Sequence, residues 1–130
     1  MTRILFVCKK NSRRSQMSEA FARHFGPDSL DVQSAGLEAS SIPEQVFQVM
    51  DEVGVSMAHQ TSQALNEFQP EDFDVVISLC GCGASLPEEW LTRPRFEDWN
   101  LEDPAGDDIE PYRRVRDQIH QRVKTLLASL

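Results

Sequence analysis

The sequence contains few of the residues that mark secreted or membrane-bound proteins. Three cysteines are present in 130 residues, and three thiols cannot all pair within one chain. This argues against a secreted disulfide framework and favours reduced, working thiols. The only apolar run near the amino terminus, Ile4 to Cys8, is far too short for a signal-peptide core or a membrane span. We therefore expect a soluble, cytoplasmic protein with no membrane partner.

Positive charge is scarce and unevenly placed. The formal net charge is -8, which argues against nucleic acid as a partner because both would carry the same sign. Residues 1–25 contain six Lys or Arg and one acid, whereas residues 26–92 contain no Lys or Arg. Such a cluster is usually a solvated tail. This one directly follows a predicted buried strand, so we interpret it as a local site for an anion.

Strand-like and helix-like segments alternate along the chain. Strands are predicted over residues 3–8, 30–37, 73–79 and 95–99. Helices are predicted from Ser15 to Gly26-Pro27, from Pro43 to Gly54 and from Ile109 to Leu130. With right-handed crossovers, this order predicts one α/β domain over residues 1–130, with an open parallel sheet and helices on both faces.

Helical spacing also predicts which helix faces are buried. The expected buried residues of the first two helices are Met17, Ala20, Phe21 and Phe25, then Val46, Phe47, Met50 and Val53. Those of the last helix are Val115, Ile119, Val123, Leu126 and Leu127. These faces would cover the sheet and form one core.

All three cysteines follow predicted strands directly. Cys8 ends the first strand, and Cys80-Gly81-Cys82 follows the third. Ligands of open parallel sheets bind outside the carboxyl ends of the strands. We therefore expect the three thiols to lie near one another.

The segment from Cys8 to Ser15 has the form C-x5-R-S and connects a strand to a helix. Such a loop directs backbone N–H groups and the helix dipole at a tetrahedral oxyanion, and the same field stabilises a thiolate. Arg14 can give a planar fork of donors to two oxygens, and Ser15 can donate to the thiolate or cap the helix. The Asn11 amide is suited to bracing the loop. The alternative is that Cys8 is only a small buried residue at a strand end.

A candidate acid lies before the last helix, in the turn-rich segment 102–106. Asp103, followed by Pro104, could protonate an oxygen that leaves the tetrahedral centre. An Asp-Pro pair alone is more often a plain turn, and the anion loop is what favours the catalytic interpretation. Glu102, Asp107 and Asp108 are rival acids.

The pair Cys80 and Cys82 needs an explanation of its own, because a phosphatase requires only the loop and the acid. Gly81 and Gly83 would let a sulfur approach Cys8, and a thiolate that attacks the Cys8 sulfur would expel a bound oxyanion and leave a disulfide. The third cysteine could then take over that disulfide. Zinc binding is the weaker alternative, because neither the cysteines nor the three histidines have zinc-ligand spacing.

These features resemble the arsenate reductases that share the low-molecular-weight tyrosine phosphatase fold. The matching segments are Cys8 to Ser15, Ser34-Ala-Gly36, residues 75–83 and residues 99–104. The resemblance implies a four-stranded parallel sheet. It also implies Cys8 as nucleophile, Arg14 as oxyanion ligand, Asp103 as acid, and Cys80 and Cys82 as redox thiols.

The C-x-C spacing is most similar to the cyanobacterial-type branch, which takes electrons from glutathione and glutaredoxin. The thioredoxin-linked branch spaces its second and third cysteines further apart. Two positions depart from the family pattern. Lys10 stands where many members have Gly, although a left-handed backbone is unfavourable for Lys. Arg13 stands where Cys or a small residue is common, and it either strengthens anion binding or faces solvent.

The sequence thus predicts a monomer that reduces arsenate to arsenite in arsenic detoxification, with no metal or organic prosthetic group. The expected oxyanion-binding residues are Lys9, Lys10, Asn11, Ser12, Arg13 and Arg14. Glutathione with glutaredoxin is the preferred reductant and thioredoxin the alternative. One rival is a phosphotyrosine hydrolase in which the cysteine pair is idle. The other is a non-catalytic anion or arsenite sensor that uses three thiols.

Overall fold

A computed structural model describes residues 2–58, 60–79, 86–104 and 106–130. Its strands are β1 (Arg3–Cys8), β2 (Asp31–Gly36), β3 (Val75–Ser78) and β4 (Arg95–Asp98). Its helices are α1 (Arg14–Phe25), α2 (Glu44–Glu52), α3 (Glu88–Leu91) and α4 (Ile109–Ala128), with short 3-10 turns at Leu65–Glu67 and Pro70–Asp72. The predicted alternation of strands and helices is confirmed. The short α3 and the two turns were not predicted.

The four strands form one parallel sheet in the order β2-β1-β3-β4. β1 lies inside the sheet, where Cys8 pairs with Gly36 and Val7 with Ser78. The Leu79 amide extends the ladder by donating to the Val7 carbonyl at 2.8 Å. The carboxyl ends of three strands therefore meet beside Cys8, as the strand order predicts.

The sheet is covered on both faces. Ile4, Phe6 and Cys8 of β1 face a core that includes the buried sides of α1, α2 and α4. Leu5 and Val7 face a smaller cluster with Leu65 and Trp90, which belong to a 3-10 turn and to α3. Burial on both sides explains why β1 is a continuous apolar run.

Three residues of the predicted helix faces are exposed instead. Phe25, Phe47 and Val53 are 48%, 36% and 42% exposed. Phe25 ends α1 and stacks on His120 at the surface, with ring centroids 5.1 Å apart. Val53 is only the cap that follows α2, and Val49 takes the buried position instead. Phe25 and Val53 thus lie at or just beyond the ends of their helices, whereas Phe47 lies within α2 on its exposed side.

No helix in the described part of the chain is both long and apolar enough to cross a membrane.

Glu19 is a buried carboxyl on α1, on the side of the helix that faces β2. It is 6% exposed, accepts a hydrogen bond from Ser34 Oγ at 2.5 Å and pairs with Arg23 Nε at 2.8 Å. Burial raises the pKa of Glu19 above its ordinary value, although Ser34 and Arg23 oppose the shift. The folded protein therefore binds a proton at this site more readily than the unfolded chain does.

This shift predicts a pH-dependent effect of Glu19→Gln on stability. A carboxyl whose pKa rises on folding adds stability below its unfolded pKa, and that stability is lost as the pH rises through the folded pKa. Wild type should therefore lose stability relative to Glu19→Gln over the pH range that begins at about 4, the ordinary pKa of a glutamate. Urea unfolding of both proteins across this range measures the difference, and a constant difference would contradict the prediction.

Candidate active site

The loop between β1 and α1 forms a cavity of about 210 Å³ at the carboxyl end of the sheet. Its lining residues are Cys8, Lys9, Lys10, Ser12, Arg13, Arg14 and Asp103. The first six come from the C-x5-R-S loop, and Asp103 comes from the segment between β4 and α4. The structure thus brings the expected nucleophile, basic residues and acid around one small cavity, large enough for a tetrahedral oxyanion.

A chain of hydrogen bonds runs from Cys8 into the loop. Cys8 Sγ lies 2.9 Å from Ser15 Oγ, and the Ser15 hydroxyl lies 2.7 Å from Asn11 Oδ1. Both residues are fully buried and Cys8 is 3% exposed. A Cys8 thiol can donate to Ser15, whereas a Cys8 thiolate would instead accept the single Ser15 hydrogen. Ser15 can therefore hydrogen-bond to either protonation state of Cys8.

Asn11 braces the loop and is its one left-handed residue. Its side-chain amide donates to the carbonyls of Ser34 and Gln63, each at 3.3 Å. Among the described non-glycine residues it alone has positive φ, at 49°. Asparagine tolerates this region better than most residues. The concern over Lys10 therefore does not apply, because the left-handed position falls one residue later.

Substitutions at Asn11 can separate its backbone conformation from its hydrogen bonds. Asn11→Gly loses the amide and adopts the left-handed backbone without penalty, whereas Asn11→Ala loses the amide and adopts that backbone at a cost. Three lost hydrogen bonds cost roughly 1 kcal/mol each, and the left-handed Ala adds about 1–2 kcal/mol. We expect Asn11→Ala to unfold at lower urea than Asn11→Gly, and both below wild type. Equal midpoints for the two variants would show that the conformation carries no strain.

Gly36 allows the loop to lie against the end of β2. A Cβ atom there would come within 2.5 Å of the Asn11 nitrogen and 2.6 Å of the Lys10 carbonyl carbon. Backbone atoms cannot yield as a flexible side chain can, so any larger residue would displace the loop. This requirement explains the glycine that closes β2.

Arg14 lies in the wall of the cavity and is 6% exposed. Its Nη1 donates to the carbonyls of Leu79 and Leu101, both at 3.0 Å. Its Nε is buried and has no hydrogen-bond partner among the described residues. A buried guanidinium nitrogen without an acceptor is costly, and an oxyanion in the cavity would supply one. Arg14 thus has one edge held by the protein and the other available to a ligand.

Asp103 is the best-placed of the four candidate acids. Its Oδ2 lies 3.6 Å from Arg14 Nη2, and its side chain is 56% exposed. Glu102 is instead held by Arg114 at 2.9 and 2.7 Å, and this contact lowers the pKa of Glu102. Asp108 accepts from the Glu110 amide as the cap of α4. None of the three rivals, Glu102, Asp107 and Asp108, lines the cavity.

The remaining predicted loop residues differ in exposure. Lys9 and Lys10 are exposed, whereas Ser12 is buried. Arg13 is half-buried and its Nε donates to Tyr112 Oη at 3.3 Å. Arg13 therefore does not simply face solvent, because it lines the cavity and one of its guanidinium nitrogens is bound to Tyr112.

Cys80 and Cys82 lie outside the described residues. Leu79 is the last described residue before them, and its carbonyl accepts a hydrogen bond from Arg14 Nη1 in the cavity wall. The described residues contain no group of three His, Cys, Asp or Glu that could hold a metal ion.

Sequence reasoning missed several residues that support the loop. Gln63 and Leu101 contribute only backbone carbonyls. Every residue type has a backbone carbonyl, so the sequence does not identify these two acceptors. Gln16 donates from its side chain to the Asn11 carbonyl at 3.1 Å, and a polar residue that is fully buried in a helix has no clear sequence signal either. Tyr112, the only tyrosine, could have been noticed for its rarity.

The site places a buried thiol in a loop between a strand and a helix, beside a partly free guanidinium and a carboxyl. This arrangement is expected of enzymes that transfer or reduce oxyanions through a cysteine. The chain belongs to the low molecular weight phosphotyrosine protein phosphatase family, whose model matches residues 3–130. Its predicted fold is thereby confirmed.

Within this family, the chain is similar to arsenate reductases. It is 48% identical over 130 residues to the glutaredoxin arsenate reductase of Synechocystis sp., covering 100% of this chain and 99% of that protein. It is 36% identical over 128 residues to an arsenate reductase of Halalkalibacterium halodurans, covering 94% and 92%. Among solved structures, an arsenate reductase in the phosphate binding state superposes with a TM-score of 0.92 at 49% identity, covering 99% and 98%.

Proposed function

We propose that this protein reduces arsenate to arsenite, as a cytoplasmic, single-domain monomer that takes electrons from glutathione through glutaredoxin. The observation that carries the proposal is the cavity of Cys8, Arg14 and Asp103, in a chain similar to arsenate reductases over its whole length. Lys9, Lys10, Arg13 and Arg14 line the cavity, and they give an anion a local attraction in a protein of net charge -8.

In the first step, arsenate occupies the loop and the Cys8 thiolate attacks the arsenic atom. Backbone N–H groups, the N-terminus of α1 and the free edge of Arg14 hold the oxygens. Asp103 donates a proton to the departing oxygen, which leaves as water. The product is an As(V) adduct on Cys8, with one As–O bond exchanged for one As–S bond.

In the second step, the thiolate of Cys80 or Cys82 attacks the Cys8 sulfur. A disulfide forms while the S–As bond breaks, and the bonding electron pair stays on arsenic as arsenite. The two thiols have then lost two electrons and arsenic has gained two. The remaining cysteine takes over the disulfide, and two glutathione thiols, through glutaredoxin, return the pair to thiols. The position of Leu79 supports this route. Its carbonyl accepts a hydrogen bond from Arg14 in the cavity wall, and Cys80 is the next residue in the sequence.

The second candidate function is hydrolysis of phosphate monoesters. It is favoured by the family itself, which is named for phosphotyrosine phosphatases. The same loop would hold a phosphoryl group, Cys8 would form a phosphoenzyme and water would release phosphate. Weak activity of this kind is expected even in a reductase, because both reactions share the first step.

Measuring arsenite release distinguishes the two functions and identifies the reductant. Purified protein is given arsenate with glutathione, glutaredoxin, glutathione reductase and NADPH, or with thioredoxin, thioredoxin reductase and NADPH. Turnover with the glutaredoxin system, and little with thioredoxin, would support the whole proposal. Turnover with thioredoxin alone would keep the reaction and replace the donor. No turnover with either, together with rapid hydrolysis of an aryl phosphate, would establish the phosphatase.

A further inference from the structure

The segment that carries Asp103 is held at both ends. We call residues 101–104 and 106–108 the acid loop. At its first end, the Leu101 carbonyl accepts from Arg14 Nη1 at 3.0 Å. At its other end, the Asp108 side chain caps α4 by accepting from the Glu110 amide at 3.2 Å. Asp103 lies between these points, and its Oδ2 approaches Arg14 Nη2 in the cavity wall to 3.6 Å.

A second connection reaches the acid loop through Tyr112, on the first turn of α4. Its phenol hydroxyl lies 3.4 Å from the Gly106 carbonyl, to which it donates. The same oxygen accepts from Arg13 Nε at 3.3 Å. Tyr112 is 1% exposed and packs in the main core. The phenol oxygen is therefore fixed in position and bridges the acid loop to the residue that caps α1.

Gly106 makes this connection sensitive to the path of the loop. Its φ of 80° is left-handed, a conformation that glycine adopts without penalty. The backbone turns sharply there, three residues after Asp103, and the Tyr112 hydroxyl holds the carbonyl at that turn. A bond at the turn limits how far Asp103 can move away from Arg14.

We propose that Arg13 and Tyr112 are positioning residues for the acid step. Tyr112 holds the acid loop, Arg13 fixes the Tyr112 hydroxyl, and together they keep Asp103 over the cavity. This inference rests on the proposed function only in its assignment of Asp103 as the acid. It also gives a role to Arg13, whose side chain the anion cradle does not require.

Position matters for a general acid because proton transfer needs the donor within hydrogen-bond reach of the oxygen that leaves. A general acid contributes about 10²–10⁴-fold to rate, and a misplacement of about 1 Å costs up to about a hundredfold. Asp103 is more than half exposed, so packing alone does not hold its side chain. The connections of the loop backbone therefore decide where it lies.

The acid loop has one more tie, which serves as a matched control. Arg114 holds Glu102 at 2.9 and 2.7 Å, but the two side chains are 53% and 43% exposed. An exposed ion pair contributes little. Arg114→Gln should therefore change the acid step less than about twofold, although it too removes a tie to this loop.

The test compares aryl phosphates that differ in how much they need an acid. Phenyl phosphate has a poorer leaving group than 4-nitrophenyl phosphate, so its hydrolysis depends more on protonation. Tyr112→Phe removes only the hydroxyl, and we expect kcat/KM to fall about tenfold for phenyl phosphate and less than about threefold for 4-nitrophenyl phosphate. Arg13→Met should follow the same pattern, and Arg13→Lys, which can still donate to Tyr112, should recover part of the loss.

A double-mutant cycle shows whether Tyr112 acts through Asp103. In an Asp103→Asn background, Tyr112→Phe should cost less than about twofold more, because there is no acid left to position. Additive losses, or equal losses for both aryl phosphates, would overturn the proposal, and so would an equal loss from Arg114→Gln. Running the same cycle on kcat and KM of arsenate reduction tests the connection even where aryl phosphates are poor substrates. It also separates the result from the choice between reductase and phosphatase.

Discussion

Replacing Arg14 with alanine should weaken arsenate binding by about a hundredfold, whereas replacing Arg13 with alanine should weaken it by less than about fivefold. The free edge of Arg14 can make two charge-assisted hydrogen bonds to the oxyanion, each worth about 1.5–3 kcal/mol. Losing about 3 kcal/mol corresponds to about a hundredfold in affinity. Arg13 is less buried than Arg14 and has one nitrogen already bound to Tyr112.

Calorimetric titration of arsenate and of sulfate into both variants measures this difference. Arg14 also holds the Leu79 and Leu101 carbonyls, so Arg14→Ala could lose affinity by distorting the cavity. Arg14→Lys is therefore included, because it keeps a positive charge and lacks the planar fork. We expect it to bind more weakly than wild type and more tightly than Arg14→Ala. Equal losses from Arg13→Ala and Arg14→Ala would remove Arg14 from its proposed role.

Replacing either Cys80 or Cys82 with serine should lower steady-state arsenite production by more than about a hundredfold, because serine cannot form the disulfide that carries two electrons away. Aryl phosphate hydrolysis should change by less than about threefold, since it needs only Cys8, the loop and the acid. The two assays on one protein preparation provide the control, because a misfolded variant would lose both activities. Cys8→Ser should lose both.

The order of the two thiols can be read from what accumulates. The variant that lacks the first attacking cysteine should retain the arsenic adduct on Cys8, and the variant that lacks the last cysteine should stop at a disulfide with Cys8. Mass spectrometry after one addition of arsenate distinguishes these species. Full steady-state reduction by both serine variants would contradict the proposed cascade and leave Cys80 and Cys82 without a role.

The sequence predicts the fold well because the signals are local and strong. β1 is a run of apolar residues whose two faces are both buried. α1 begins at Arg14, one residue before the predicted start at Ser15, and ends at Phe25, directly before the predicted stop at Gly26-Pro27. The predicted helix faces fail at Phe25, Phe47 and Val53, because periodicity does not show which apolar residues of a helix have another element packed against them. The short α3 was missed because four residues are too few for a periodic pattern.

The site is predicted less completely than the fold. Cys8 and Arg14 are recognisable from the C-x5-R-S spacing, and Asp103 from the Asp-Pro turn considered together with that loop. The structure places all three around one cavity. What supports them is less visible. The left-handed residue is Asn11 and not Lys10, since the turn is set by contacts with the end of β2. The link from Arg13 to Gly106 depends on a tyrosine 99 residues away from Arg13, which spacing alone cannot reveal.

Arg14 both holds the cavity walls and is free to bind an anion, and this double role limits how the pocket can be altered by selection or by design. One edge of its guanidinium holds the walls and the other is free for the anion, so architecture and recognition cannot be tuned separately at that position. New preferences among oxyanions, or among larger anionic substrates, would be easier to introduce at Lys9 and Lys10. Both are exposed and line the mouth of the cavity, where substitutions leave the walls intact. Substitutions are therefore expected to be tolerated at Lys9 and Lys10 and not at Arg14.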